Sequence, residues 1–310
     1  MPAADPVCPL CEGRGGGTVF PYGTVWKGRR FDYLRCEGCG SSFIHPLPSE
    51  DDFGEMYSHS QYHQEFYQEV CEEGALTELK AALPLLKPAG TLLDFGCGNG
   101  SFLIAARNAG FRAEGVELDE QARARAADAS GCIVSSLPAV QASGRRYDVI
   151  HLGDVLEHLP DPAAMMRQLE TLLTADGLFF VEGPLEDNPS LIFYAARLFG
   201  AFKRRTGRNL FADLPPFHLL RTTARAQRRF FESRLGYEVR GFHVSESGWP
   251  YWNDGDRLLH PGSAGRFVRM LIGAAGVGLS KALGRTPLRI GNRFFAVAAP
   301  KAGAGGRPAL

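Results

Sequence analysis

Four cysteines near the amino terminus fall in two pairs, Cys8-Pro-Leu-Cys11 and Cys36-Glu-Gly-Cys39, with 24 residues between the pairs. Two such knuckles can bring four thiolates around one ion. Soft sulfur ligands in that number suit tetrahedral zinc. Four ligands fill the tetrahedron and leave no position for water, so the expected role is structural. Cys97, Cys71 and Cys132 stand apart and read as small packing residues or buried thiols.

A second pattern lies at Thr91–Phe102, TLLDFGCGNGSF, where an apolar run holding Asp94 gives way to Gly96, Gly98 and Gly100. Glycine lets a chain bend tightly and lets a ligand approach the main chain. A strand, a glycine turn and a helix in that order make a ligand crevice at a sheet edge. The spacing differs from the G-x-G-x-x-G of pyrophosphate-binding turns. Glu117 ends the next apolar stretch, GVELD, about 20 residues on, where an acid can accept from both hydroxyls of a ribose. The combination favours a nucleoside without phosphates.

The elements that must hold these residues follow from periodicity. Residues 91–183 alternate short apolar runs (TLLDFG, FRAEGVEL, CIVSS, YDVIHLG, LFFVEGP) with helical stretches (GSFLIAARNAG, DEQARARAADAS, AAMMRQLETLLTADG). Strands separated by helices of that length predict a parallel sheet with crossover helices. The expected fold class is therefore α/β, with a Rossmann-like sheet preceded by a small zinc-ribbon module. The expected domains are a zinc ribbon at 1–45 and a helical linker or cap at 46–86, with helix from Phe66 to Leu85. A domain at 87–300 follows, with a lid insertion at about 186–230, and a disordered tail occupies 301–310.

The run LLDFGCGNGSFL, then GVELDE, YDVIHLGDVLEHLPDP and LFFVEGP closely resembles the class I S-adenosylmethionine-dependent methyltransferases, over about residues 88–185. The resemblance implies seven mostly parallel strands, the last two being YEVRGFHVSE and RFFAVAAPK. It also implies a cofactor, S-adenosylmethionine. Asp94, Gly96, Gly98 and Gly100 would wrap its methionine part, and Glu117 would hold the ribose. Leu118 would pack on adenine, with Ser136 and Leu137 near the adenine edge. Gly153 and Asp154 would border the methyl sulfonium. The segment CGSSFIHPLPSEDDFGEMYSHSQYH is similar to bacterial methyltransferases of polysaccharides and natural products that carry an amino-terminal ribbon.

On the acceptor side, His158 in DVLEHLPDP and His218 in LPPFHLLRTT are the candidate catalytic residues, since a histidine can take a proton from a hydroxyl. Each also reads as a loop-fixing group. Tyr57, Tyr62, His59 and His63 lie where a segment could close over the cofactor or pack the ribbon. Residues 197–240 hold eleven Arg or Lys against three acids, behind the amphipathic SLIFYAARLFGAF. A basic, partly apolar lid of this kind suits a phosphorylated or lipid-linked acceptor or a membrane surface; an ordinary solvated face is the alternative.

With 34 basic and 34 acidic residues the formal charge is zero, which argues against a polycation gripping nucleic acid. Residues 1–45 hold only five Lys or Arg. No transmembrane run or secretory signal is read, so a cytoplasmic location is expected. The expected reaction is methyl transfer to a small molecule or saccharide, at oxygen. A sugar C-methyltransferase and a ribbon-guided RNA methyltransferase stand as alternatives.

Overall fold

Runs of branched and aromatic residues bounded by glycine turns form strands, and alanine-rich stretches behind acidic caps form helices. The computed structural model describes residues 6–58, 72–87, 89–206, 212–247, 271–279, 282 and 289–301. These fall into two compact units. One comprises Met1–Leu47, Pro184–Arg228 and His243–Phe294; the other comprises Pro48–Gly183, Arg229–Phe242 and Phe295–Leu310.

The first unit holds a five-stranded sheet built on β1 (Gly15–Trp26), β2 (Arg29–Cys36) and β3 (Ser42–His45), paired antiparallel in sequence order. The span expected as a lid insertion supplies two short edge strands. Within the second unit lie β4 (Thr91–Phe95), β5 (Arg112–Val116), β6 (Ile133–Ser135), β7 (Tyr147–Gly153) and most of β8 (Leu173–Pro184). The two edge strands of the first unit are β9 (Ala212–Asp213), parallel to β1, and β10 (Leu220–Arg221), antiparallel to β3. The last strands are β11 (Tyr237–Ser245) and β12 (Arg293–Pro300).

The seven-stranded sheet has the order β11-β12-β8-β7-β4-β5-β6. The pairs β4–β5, β4–β7, β5–β6 and β7–β8 are parallel. The expected mostly parallel α/β sheet is present. After β4 the chain runs outward through β5 and β6, then returns to the other side of β4 at β7. That reversal opens a crevice beyond the carboxyl ends of β4 and β7, the place where such sheets bind ligands.

The crossover helices begin at matched caps. Asp119 accepts from the Ala122 N–H at 2.8 Å to open Glu120–Ser130, and Asp161 accepts from the Ala164 N–H at 2.9 Å to open Pro162–Glu170. Helices Glu72–Ala82 and Ser101–Asn108 bury Leu79, Phe102 and Ala105 against Leu92, Val149, Phe180 and Val297 of the sheet.

Three local readings change. AAMMRQLETLLTADG is helical only to Glu170, because Leu173 pairs with Tyr147 and opens β8. Of the helix expected from Phe66 to Leu85, the part before Glu72 lies outside the described residues, Glu72–Ala82 is helical, and Leu83–Leu85 form a tight turn instead. Cys132 is half-buried rather than enclosed, whereas Cys97 packs against Leu103 and Ala126 as expected. Cys71, His59, Tyr62, His63 and the tail beyond Lys301 lie outside the described residues.

Candidate functional site

The turn after β4 is set by its three glycines. Gly96, Gly98 and Gly100 have φ of 79°, 53° and 85°, left-handed conformations that cost other residues about 1–2 kcal/mol each. Space matters as well as torsion: a Cβ on Gly96 would lie 2.8 Å from Val155 Cγ2, and one on Gly100 3.0 Å from the Ala126 carbonyl oxygen. The turn is tied to β5, because Gly96 and Cys97 N–H both donate to the Val116 carbonyl. Asn99 Oδ1 accepts from the Ser101 N–H and hydroxyl, closing the turn into the helix.

Glu117 is buried, and its carboxylate faces this turn. Oε2 accepts from the Gly98 N–H at 3.0 Å and Oε1 from the Leu118 N–H at 2.7 Å. Leu118 beside it is 76% exposed, a large apolar side chain held at the rim. Ser136 precedes the helix Leu137–Ala142 in extended conformation, and both Ser136 and Leu137 are half-buried at the end of β6. Gly153 ends β7, followed by Asp154 at a φ of 51° with its N–H donating to the Glu182 carbonyl. All the positions expected to border a cofactor thus sit at the carboxyl ends of β4, β5, β6 and β7, around the switch in strand order.

Beneath the turn lies a buried charge cluster. His151 Nδ1 is 2.7 Å from Asp94 Oδ1, and His151 Nε2 is 3.4 Å from Glu182 Oε1, an ion-pair distance rather than a good hydrogen bond. The imidazole stacks on Phe102 with centroids 3.5 Å apart. Burial disfavours its charge, but the charge of Asp94 and the contacts to both acids outweigh that and push it up to about 9. Asp94 Oδ2 is buried and has no hydrogen-bond partner among the described residues. Gly153 is close to this ring, since a Cβ there would lie 2.7 Å from His151 Cε1.

The two candidate histidines each meet an acid within their own unit. In the second unit, His158 Nδ1 is 3.1 Å from Tyr57 Oη and Nε2 is 3.9 Å from Glu157 Oε1. In the first unit, His218 Nδ1 is 3.0 Å from Glu186 Oε2, and Glu186 Oε1 accepts from Arg221 at 3.2 Å. The His218 carbonyl accepts from the Tyr33 hydroxyl. A carboxylate on Nδ1 favours the tautomer that carries its proton there.

The four amino-terminal sulfurs converge. Cys8 Sγ is 3.8 Å from Cys39 Sγ and Cys11 Sγ is 3.4 Å from Cys36 Sγ, and all four lie within 4.8 Å of one another. None of the four is in a disulfide. Four thiolates about 2.3 Å from one ion would stand about 3.8 Å apart along tetrahedral edges, so the donor set fits zinc. Gly13 is held close to two of them: a Cβ there would lie 2.9 Å from Cys36 Sγ.

A family model for a methyltransferase domain matches residues 63–239, more than half of the chain. The chain belongs to the methyltransferase-domain family. The ubiquinone biosynthesis O-methyltransferase of Serratia proteamaculans (strain 568) is 32% identical over 99 residues, 29% of this chain and 41% of that protein. Its namesake from Bordetella pertussis is 31% identical over 114 residues, 34% of this chain and 46% of that protein. The chain therefore spans less than half the length of these relatives. Among solved structures, the 4+2 cyclase SpnF is similar with a TM-score of 0.50 at 16% identity, over 83% of this chain and 98% of the other. That likeness concerns the fold alone; reaction has to be argued from the site.

Within this methyltransferase domain, sequence reasoning missed His151 and Glu182, and outside the matched cofactor motifs it missed Glu186. A histidine in the otherwise apolar YDVIHLG and an acid in LFFVEGP were the available signals, since a polar residue in a doubly covered parallel strand must find a partner.

Proposed function

We propose that the chain is an S-adenosylmethionine-dependent methyltransferase acting on a hydroxyl of a small molecule, saccharides included. The supporting observation is the glycine turn at the switch in strand order, with a buried Asp94 oxygen awaiting a donor beside it. Asp94 Oδ2 would accept from the amino group of the cofactor's methionine part. Gly96, Gly98 and Gly100 would line that part, Glu117 would hold the ribose hydroxyls, and Leu118, Ser136 and Leu137 would border the adenine. Gly153 and Asp154 would border the sulfonium.

When bound, S-adenosylmethionine supplies a methyl on an already charged leaving group, so the protein mainly has to align the acceptor and take its proton. His218, oriented by Glu186, is the residue we assign to proton removal. His158 fixes the turn after β7 through Tyr57. Oxygen is favoured as acceptor atom because the relatives above are O-methyltransferases by name. Cys8, Cys11, Cys36 and Cys39 would hold a structural zinc ion. A cysteine set that binds metal instead of forming disulfides suits the reducing cytoplasm, where we place the protein.

The test is to incubate the full chain with methyl-labelled S-adenosylmethionine and a panel of hydroxyl-bearing small molecules and saccharides. Label in a methyl ether is the expected result. Label at carbon, or only in RNA, would overturn the reading in favour of the alternatives above.

A further inference from the structure

The helix Leu191–Arg205 is turned the wrong way round for a helix facing water. It starts at Ser190, whose hydroxyl accepts from the Phe193 N–H at 3.0 Å. Ile192 and Gly200 are buried on one side. Tyr194, Leu198, Phe199 and Phe202 are instead 60%, 75%, 56% and 57% exposed. Residues 194, 198 and 202 repeat at four-residue spacing and form one row, with Phe199 beside it. A contiguous apolar row in open solvent marks an interaction surface.

The charges on the same helix say what kind of surface would cover it. Its sequence, LIFYAARLFGAFKRR, contains Arg197, Lys203, Arg204 and Arg205 and no acid. Arg204 and Arg205 are exposed at the carboxyl end. A second copy of this helix would cover the apolar row but, holding no acid, would bring no anion to the exposed Arg205. An anionic membrane surface supplies both, an apolar boundary for the Leu and Phe side chains and phosphate for the arginines. Among the described residues no helix is long and apolar enough to cross a membrane.

We propose that the Tyr194–Leu198–Phe202 face of this helix docks the protein on anionic lipid bilayers, with Arg204 and Arg205 contacting headgroups. This rests on the helix alone and is independent of the methyl-transfer reading.

The experiment is co-sedimentation of the full chain with vesicles of phosphatidylcholine, with and without phosphatidylglycerol. Binding is expected to the mixed vesicles and should weaken as salt rises. Leu198→Asp combined with Phe202→Asp should reduce it more than tenfold. Both positions are exposed, so the melting temperature should stay unchanged. Arg204→Gln with Arg205→Gln should abolish the preference for phosphatidylglycerol. The proposal is overturned if the chain fails to sediment with anionic vesicles, or if the Leu198/Phe202 variant sediments like wild type. It is also overturned if light scattering shows a dimer that this variant dissociates, which would make the face a self-interface.

Discussion

The Nδ1 atom of His151 lies 2.7 Å from Oδ1 of Asp94, so the acid that precedes the glycine turn is held by a cation buried in the neighbouring strand. β4 and β7 are paired with Asp94 opposite His151, and parallel register alone brings the two together. Glu182 on β8 stands opposite Gly153, two residues further along β7, and completes the cluster.

Removing the cation should expose its importance. His151→Phe keeps a ring over Phe102 but leaves Asp94 and Glu182 as buried carboxylates. Breaking a buried pair from one side costs about 3–5 kcal/mol, to be read by urea denaturation near neutral pH.

The pH dependence has a defined sign. His151 is raised from 6.5 to about 9 in the folded chain, so the native state binds this proton more tightly than the unfolded one. Its stabilisation, about 3 kcal/mol, is whole below about pH 6.5 and is lost as pH rises to about 9. Denaturation of wild type should show that loss between these limits, and the His151→Phe profile should lack it.

Torsion and space can be separated in the glycines. Gly96 and Gly110 both have left-handed φ, 79° and 95°, but a Cβ on Gly110 meets nothing within 4 Å whereas one on Gly96 would strike Val155. Gly96→Ala should therefore cost at least about 1 kcal/mol more than Gly110→Ala in chemical denaturation.

The cysteine cluster predicts stoichiometric metal. Chelation of the full chain should release zinc, one ion per chain, and hydrogen exchange should then rise across β1–β3 while the seven-stranded sheet stays protected. Unchanged protection after exhaustive chelation would refute a structural ion. Cys36→Ser should reproduce the effect without chelator.

The two histidines should separate kinetically. His218→Ala should lower kcat about 100-fold or more with cofactor affinity unchanged, and Glu186→Gln should follow it in the same direction. His158→Ala should instead lower the melting temperature through the lost Tyr57 contact.

The sequence made β4 to β8 legible because doubly covered parallel strands are short apolar runs, and each is closed by a turn residue or an acidic cap such as Asp119 and Asp161. β9 and β10 were not legible. Each is two residues long and exists only because a partner strand of the first unit pairs with it, which no local propensity encodes. The opening of β8 was misread because Leu169, Leu172 and Leu173 have helical spacing, and only pairing of Leu173 with Tyr147 makes the last of them strand. In the same way, the glycines and Glu117 could be found from spacing, while His151 and Glu182 become neighbours of Asp94 only through sheet register. The buried Asp187, held by Ser42, Arg35 at 3.1 Å and Arg221 at 3.6 Å, is likewise a product of tertiary contact.

Calorimetric binding of S-adenosylmethionine to wild type and to Glu117→Ala tests the central claim most directly. Wild type should bind, and the variant, which loses the carboxylate proposed to accept from two ribose hydroxyls, should bind roughly 30-fold or more weakly, a cost of about 2–4 kcal/mol. Denaturation of the ligand-free variant checks that the turn survives the loss of the Gly98 contact. Failure of wild type to bind, or equal affinity in a folded Glu117→Ala, would contradict the account.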